Sequence, residues 1–387
     1  MPGFQGYVRK DGKVGARNYV AVIPSVVCSV EVVEAIVANT VMTQGIIHHQ
    51  GCCQTPPDLE RVTDCLIKIC ENPNVGAALI VSLGCEGVDT NRLEAAARAT
   101  GKPIERVNIQ ELGGTSAAIA AGINAAQRLV MAISGQQRES VDMSSFVMGI
   151  KCGASDTTSG VASNPVIGYV ADKVVDLGGT VIFGETTEFI GAEHILQRRA
   201  KNPHVASEIA RIVTEMEDRA KAIGVDMRKG QPTPGNIEGG LSTIEEKSLG
   251  AIVKSGTRTI EGVIGYTEVP KGKGLWIKDS PGREIELLSG MAVGGAQVIL
   301  FSTGRGAPQG FPVVPVIKIC GNPVTFAHMQ QDMDVNAGLI VDGTSSIEDV
   351  GEEVFQQLVR VASGETTKGE SIKYTKSMDF YCLGPVL

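Results

Sequence analysis

The sequence predicts an α/β protein, with an N-terminal mostly parallel sheet domain over residues 1–135 and a larger α/β C-terminal domain over 146–387. Two observations carry this. Apolar β-rich runs alternate with amphipathic stretches at the spacing of βα units, which implies a parallel sheet joined by right-handed crossovers. Glycine contributes 47 of 387 residues, against a usual roughly 7%, and clusters in GG, GxG and PG steps between the apolar runs, as in a loop-rich α/β chain.

The elements follow in order. "NYVAVIPSVVC" reads as a first strand ending at Cys28, and "SVEVVEAIVANTV" as a helix. "GIIHHQGCC" reads as a second short strand ending at Cys52. In "PDLERVTDCLIKICENP", Leu59, Val62, Leu66 and Ile69 form a helical stripe with Cys65 and Cys70 near it. "VGAALIVSLGC" is nearly all apolar, the pattern of a strand buried on both faces. "NRLEAAARATG" is a helix closed by glycine, "IERVNI" a fourth strand, and "TSAAIAAGINAAQRLVMAIS" an alanine-rich helix. The polar "GQQRESVDMSS" (135–145) reads as a linker. Beyond it, "FVMGIKC" is a strand, "VIGYVADKVVDLGG" a helix and "TVIFGE" a strand. Residues 193–228 read as helices and 229–285 as loops. "AQVILFSTGRGAP" and "FPVVPVIKICGNP" add two more strands.

A net charge of −8 and a pI near 5.3 argue against a nucleic-acid binder, which needs a basic face. No signal peptide opens the sequence and no run approaches the roughly 18 apolar residues of a membrane span, so the expected location is the cytoplasm. There, nine cysteines are not a disulfide framework; they bind metal, react or fill core.

Cys28, Cys52 and Cys85 all fall where a strand ends, and Cys152 repeats the arrangement in the second domain. The carboxyl ends of parallel strands point one way, toward the crevice where open α/β sheets bind ligands. Thiolates gathered there suit zinc or an iron–sulfur cluster, and three cysteines leave a cluster one open coordination position. The competing explanation is core packing, which Cys65, Cys70, Cys320 and Cys382 are expected to follow. His48 and His49 alternate along the second strand, so one of them can face the active edge as an acid or base. Glu185 and Glu188, just past another strand, are candidates for acid–base work or metal binding. Arg17 and Arg305 beside glycine-rich backbone offer a carboxylate grip, and the loops "GASDTTSG", "PTPGN" and "SPGRE" read first as turns.

Seven segments in order resemble the altronate/galactarate dehydratase family, specifically its second and C-terminal domains: "GYVRKDGKVGARN", "LGCE", "KCGASDTTSGVASNP", "GETTEFIGAE", "PTPGNIEGGLSTIEEKSLG", "FSTGRGAP" and "DMDVNAG". The resemblance places family cysteines at Cys28, Cys52, Cys85 and Cys152 and a family histidine at His48. It implies an iron-dependent lyase, with Fe2+ or an iron–sulfur cluster rather than zinc or manganese. Such a lyase would remove water from a sugar acid to give a 2-keto-3-deoxy acid. Family members near this length also serve as the β subunit of (2R)-sulfolactate sulfo-lyase, which releases bisulfite and pyruvate. The family's small SAF domain has no counterpart before "GYVRKDGK", so a separate SAF-domain subunit is the expected partner, in an oligomer without nucleic acid or membrane. On this basis Arg17, Asn18, Ser155, Asp156 and Arg305 are the expected substrate-binding residues, and His48, Glu185 and Glu188 the expected acid–base residues. Two other readings compete: a non-catalytic, zinc-stabilised α/β partner module, and a thiol hydrolase using Cys52 with His48.

Overall fold

The computed structural model describes residues 3–387. Its chain opens with an antiparallel corner, β1 (Gly3–Val8) and β2 (Val14–Gly15). Four strands then build a parallel sheet: β3 (Tyr19–Pro24), β4 (Thr43–Gly45), β5 (Val75–Ser82) and β6 (Ile104–Asn108), in the spatial order β4-β3-β5-β6. The helices α1 (Val30–Ala38), α2 (Pro56–Glu71), α3 (Thr90–Ala99) and α4 (Thr115–Ser134) make the crossovers. All eight residues of β5 are buried, as its unbroken apolar run requires in a sheet covered on both faces.

Helix α2 shows why the local sequence folds as it does. Pro56 and Pro57 sit in its first turn, where no N–H is needed, and Asp58 there complements the helix dipole. Val62, Cys65, Leu66, Ile69 and Cys70 form one buried stripe, so these two cysteines are core residues. Helix α4 is long and apolar enough to cross a membrane by length and composition, contrary to the expectation that no segment would qualify. Here it lies on the sheet, burying Ala118, Ala125, Ala126, Leu129 and Ile133 with α1 and β5 residues in one core.

The supposed linker contains a strand, β7 (Glu139–Asp142), which pairs antiparallel with β1. Phe4, Val14 and Ala16 consequently pack in the core of the second half rather than the first. That half is a seven-stranded parallel sheet of β8 (Val147–Cys152), β9 (Thr180–Phe183), β10 (Ile260–Ile264), β11 (Gly274–Lys278), β12 (Val298–Thr303), β13 (Val316–Cys320) and β14 (Val335–Asn336). Their order is β10-β11-β9-β8-β12-β13-β14. Strands β10 and β11 fall where the sequence reads as loops, because glycine, proline and lysine surround two short runs, "IEGVI" and "GLWIK".

The two halves share one apolar core, in which α2 meets the helix Glu284–Val293. At the amino end of β5, the Asn74 side-chain amide donates to Gln297 and Val313 carbonyls just before β12 and β13. Pro73, Val147, Thr180 and Gln297 line one cleft there of about 480 Å³. Both sheets therefore send their carboxyl ends away from this cleft, toward the same side.

Arg17 and Asn18 are structural staples, which corrects their expected role in gripping substrate. All five N–H groups of the Arg17 guanidinium are used within the protein. It pairs with both Glu370 carboxylate oxygens at 2.8 Å and donates to the carbonyls of Ala16, Val361 and Glu365. Asn18 accepts from Arg9 and donates to the Ile133 carbonyl. Arg17→Met is expected to leave Glu370 buried without its partner and to cost roughly 3–5 kcal/mol in equilibrium urea unfolding. Arg17→Lys should recover only part of this, because an ammonium does not span both carboxylate oxygens.

Candidate functional site

Strand β8 occupies the centre of the second sheet. The chain leaves it toward β9 on one side, and β12 flanks it on the other, so a crevice opens past the carboxyl ends of β8 and β12. The loops leaving these strands are tied to each other: Gly153 N–H donates to the Ser302 carbonyl at 3.0 Å and Arg305 N–H to the Ala154 carbonyl at 2.9 Å. Ala154 and Glu185 hold left-handed backbone conformations, φ 47° and 70°, and the helix entered after β8 begins with a π-helical turn, Ser159–Ser163. Strain at non-glycine positions and π-turns both concentrate at functional sites.

Below the crevice lies a buried group of four charges. Lys151, on β8, donates to Glu185, to the Cys152 carbonyl at 2.5 Å and to the Gly282 carbonyl at 3.0 Å. Lys254 donates to Glu185 and, at 2.7 Å, to Glu188. The other Glu185 contacts come from the Cys152 N–H at 2.9 Å and, at its own backbone N–H, from Ser280 Oγ at 3.1 Å. Burial and the neighbouring Glu188 push the Glu185 carboxyl upward against the pull of Lys151 and Lys254. Burial also acts to raise Glu188, but Lys254, Lys247 and Lys151 outweigh it and hold this carboxyl below its ordinary value. Two adjacent carboxyls driven in opposite directions match the pattern of an acid and a base. Cys152 points into the same group, 3.0 Å from Ser155 Oγ, and burial raises its thiol pKa.

Above this group, Asp156, Thr157, Thr158, Glu238, Gly239, Arg305, Asn322 and Thr325 line a polar cleft of about 360 Å³. The expected substrate residues divide here. Ser155 and Asp156 are buried and organise the loop: Asp156 accepts from Thr158 Oγ1, Ser159 N–H, Ser159 Oγ and Asn322 Nδ2. Gly304 permits this, since a Cβ there would lie 1.8 Å from Asp156 Oδ1. Arg305 is partly exposed, and its side chain makes one hydrogen bond among the described residues, to Glu238 at 3.0 Å.

The first sheet's carboxyl end carries the exposed thiols of Cys28, Cys52 and Cys85. None sits on a strand: β3 ends at Pro24, and β4 ends at Gly45, before both histidines. Their loops are nonetheless pinned together. Val27 N–H donates to the Gln50 carbonyl at 3.0 Å, Gly87 N–H to the Gly51 carbonyl at 2.9 Å, and Ser25 Oγ to Glu86 at 2.7 Å. Gly51, at φ 108°, lets the loop pass where a Cβ would meet Ser25 O at 2.5 Å. Free thiols on three interlocked loops are a donor set of the right chemistry for iron. No three His, Cys, Asp or Glu side chains among the described residues are gathered as metal ligands. Cys152 is held in the Lys–Glu group instead of joining the other three.

His48 is not placed to act as an acid or base, a correction to the sequence reading. Its ring is fully buried, with Nδ1 accepting from Gln50 N–H at 3.2 Å and Nε2 facing the Pro24 carbonyl at 2.9 Å. No ring nitrogen remains to activate Cys52, so the thiol-hydrolase reading loses its base. His48 is a structural bolt between the ends of β3 and the cysteine loop, while His49 is exposed beside Asp379.

Family models match along almost the whole chain: "D-galactarate dehydratase/Altronate hydrolase, second domain" over residues 6–134 and "D-galactarate/Altronate dehydratase, C-terminal" over 143–382. The chain belongs to the galactarate/altronate dehydratase family. It is 38% identical to the (2R)-sulfolactate sulfo-lyase subunit beta of Chromohalobacter salexigens, covering 95% of each chain. It is 32% identical to the altronate dehydratase of Bacillus subtilis and 34% identical to the L-threo-forming galactarate dehydratase of Escherichia coli. These alignments cover 95% and 94% of this chain but 75% and 73% of those proteins. The relatives are dehydratases and a sulfo-lyase, and this family member is accordingly a lyase.

Sequence reasoning missed Lys151, Lys254 and Glu238. Lys151 had a signal, a lysine inside the otherwise apolar strand "VMGIKC"; Lys278 and Lys318 repeat it in "GLWIK" and "VIKIC". Lys254 had none. Lys254→Met is expected to leave Glu185 and Glu188 facing each other and to lower unfolding stability by roughly 3–5 kcal/mol, read by urea denaturation. His48 supplies a pH test. Burial lowers its pKa from 6.5 to about 4, the Pro24 carbonyl opposing, so the unfolded chain binds its proton first. Stability should be intact above pH 6.5 and fall by roughly 3 kcal/mol as pH drops to about 4. His48→Gln should remove that component from a plot of urea midpoint against pH.

Proposed function

We propose that this protein catalyses β-elimination from an anionic 2-hydroxy acid, as the large subunit of a (2R)-sulfolactate sulfo-lyase. The observation carrying this reading is the match to a sulfo-lyase β subunit at 38% identity over 95% of both chains. That relative's name also supports a partner subunit on a separate chain. In this reaction the proton on the hydroxyl-bearing carbon is removed and its electron pair forms the new C=C bond. The C–S bond breaks, sulfite leaves with that bonding pair, and the enol tautomerises to pyruvate.

Sulfite is a better leaving group than hydroxide and is helped by cations. Arg305 in the polar cleft suits one anionic end of the substrate. Glu185, pushed up by burial and by Glu188, and Glu188, held down by Lys254, Lys247 and Lys151, would handle the proton at the reacting carbon. Cys28, Cys52 and Cys85 would hold iron, as a cluster with one open position; when bound, it supplies a Lewis acid for substrate oxygen. Dehydration of a sugar acid is the second reading, supported by the similarity of dehydratases across 95% of this chain.

The test is turnover of (2R)-sulfolactate, altronate and galactarate by protein co-purified anaerobically with its small partner, following 2-keto acid and bisulfite together. Bisulfite and pyruvate in equal amounts are expected from sulfolactate; keto acid from altronate or galactarate, without bisulfite, would favour the dehydratase reading. Serine variants of Cys28, Cys52 and Cys85 are each expected to lose most iron and acid-labile sulfide. Full retention in all three would end the iron assignment, and tightly held zinc without turnover would favour the non-catalytic module.

A further inference from the structure

The cleft past β8 and β12 presents a problem for an anionic substrate. Its charged lining residues are Asp156, Glu238 and Arg305, which leaves one negative charge in excess. Asp156 is committed to the loop by four hydrogen bonds and is buried, so its charge is a fixed part of the wall. Arg305 has one donor engaged, by Glu238 at 3.0 Å, and its Nε lies over Gly235 of the same short helix, Pro234–Glu238. The Glu238 side chain is 69% exposed and makes no other hydrogen bond among the described residues. The helix itself is docked without it. Asn236 Nδ2 donates to the Ser155 carbonyl at 2.8 Å, and Thr157 N–H donates to the Gly239 carbonyl at 3.0 Å.

We propose that Glu238 is a specificity-determining residue of this cleft, a resident counter-ion on Arg305 that a substrate carboxylate or sulfonate must displace. The proposal rests on the lyase reading, in which Arg305 receives an anionic group. With Glu238 in place the cleft repels anions and the arginine is partly occupied. Once displaced, Glu238 is free to turn toward solvent, and the planar guanidinium is left to meet a carboxylate or sulfonate through two N–H groups. The residue therefore sets a threshold: ligands that pair strongly with arginine enter, and neutral polyols gain nothing from the exchange.

The experiment is calorimetric binding to the full-length protein with two unreactive dianions, 3-sulfopropanoate and glutarate, which lack the 2-hydroxyl group. Glu238→Gln is expected to tighten binding of at least one dianion by about two- to fivefold, the scale of an exposed ion pair. Arg305→Met should weaken binding at least tenfold, and adding Glu238→Gln to it should then give a clearly smaller gain, the part that comes from repulsion alone. Unchanged or weaker binding in Glu238→Gln overturns the proposal, as does an equal gain in the Arg305→Met background or no binding to either protein. Turnover of sulfolactate by the wild-type protein is decided separately, so loss of this inference leaves the lyase reading standing.

Discussion

Four buried charges organise the second half of this protein. Lys151, Glu185, Lys254 and Glu188 lie in the interior, where an unpaired charge is strongly unfavourable, so each must be held at the position its partners require. That demand reaches several parts of the chain at once. It fixes the end of β8 through Lys151, the left-handed turn after β9 through Glu185, and the turn Val253–Ser255 that follows the helix Ile244–Ile252 through Lys254. The loop after β11 is drawn in as well, because Gly282 accepts from Lys151 and Ser280 Oγ meets the Glu185 N–H. A strained backbone at Glu185 persists because these contacts over-determine it.

A second set of polar contacts keeps the two halves in one register. Asn72 and Asn74 donate across the amino ends of the sheets, and Arg17 joins the start of β3 to Glu370 near the far end of the chain. The closing segment then crosses the carboxyl side. Gln309, after β12, donates to the Ser377 carbonyl, Gln50 donates to Asp379, and Asp58 accepts from the N–H groups of Leu383 and Gly384. One stretch of chain thus touches both the loop of Arg305 and the loop of Cys52.

Much of the fold was legible. The burial stripe of α2, the fully apolar β5 and the strand "VMGIKC" express periodicities that local sequence sets. Legibility failed where pairing depends on distant chain. Residues 139–142 look like a polar linker because β7 is an edge strand with little apolar surface, paired only to β1. "GIIHHQGCC" looks like a strand because its apolar residues are β-branched, yet the ladder beside β3 stops at Gly45. In the site, Glu185, Glu188 and Arg305 were visible as polar residues following apolar strands. Arg17, Asn18 and His48 carry the same chemistry in sequence and proved structural, since their donors and acceptors are taken within the fold, each by at least one partner well separated in the chain.

By itself the sequence determined the α/β class, the strand ends at which polar chemistry collects, and the lyase family to which those motifs belong. These depend on side-chain period and residue type, which are local properties. Only the tertiary structure decided which polar residues retain free valences. It assigned the histidine to a loop bolt, the first arginine to a buried staple, and the carboxylates to a lysine-balanced pair. The reason is that hydrogen-bonding capacity is finite: whether a group is available to substrate depends on what the fold has already placed within about 3 Å of it.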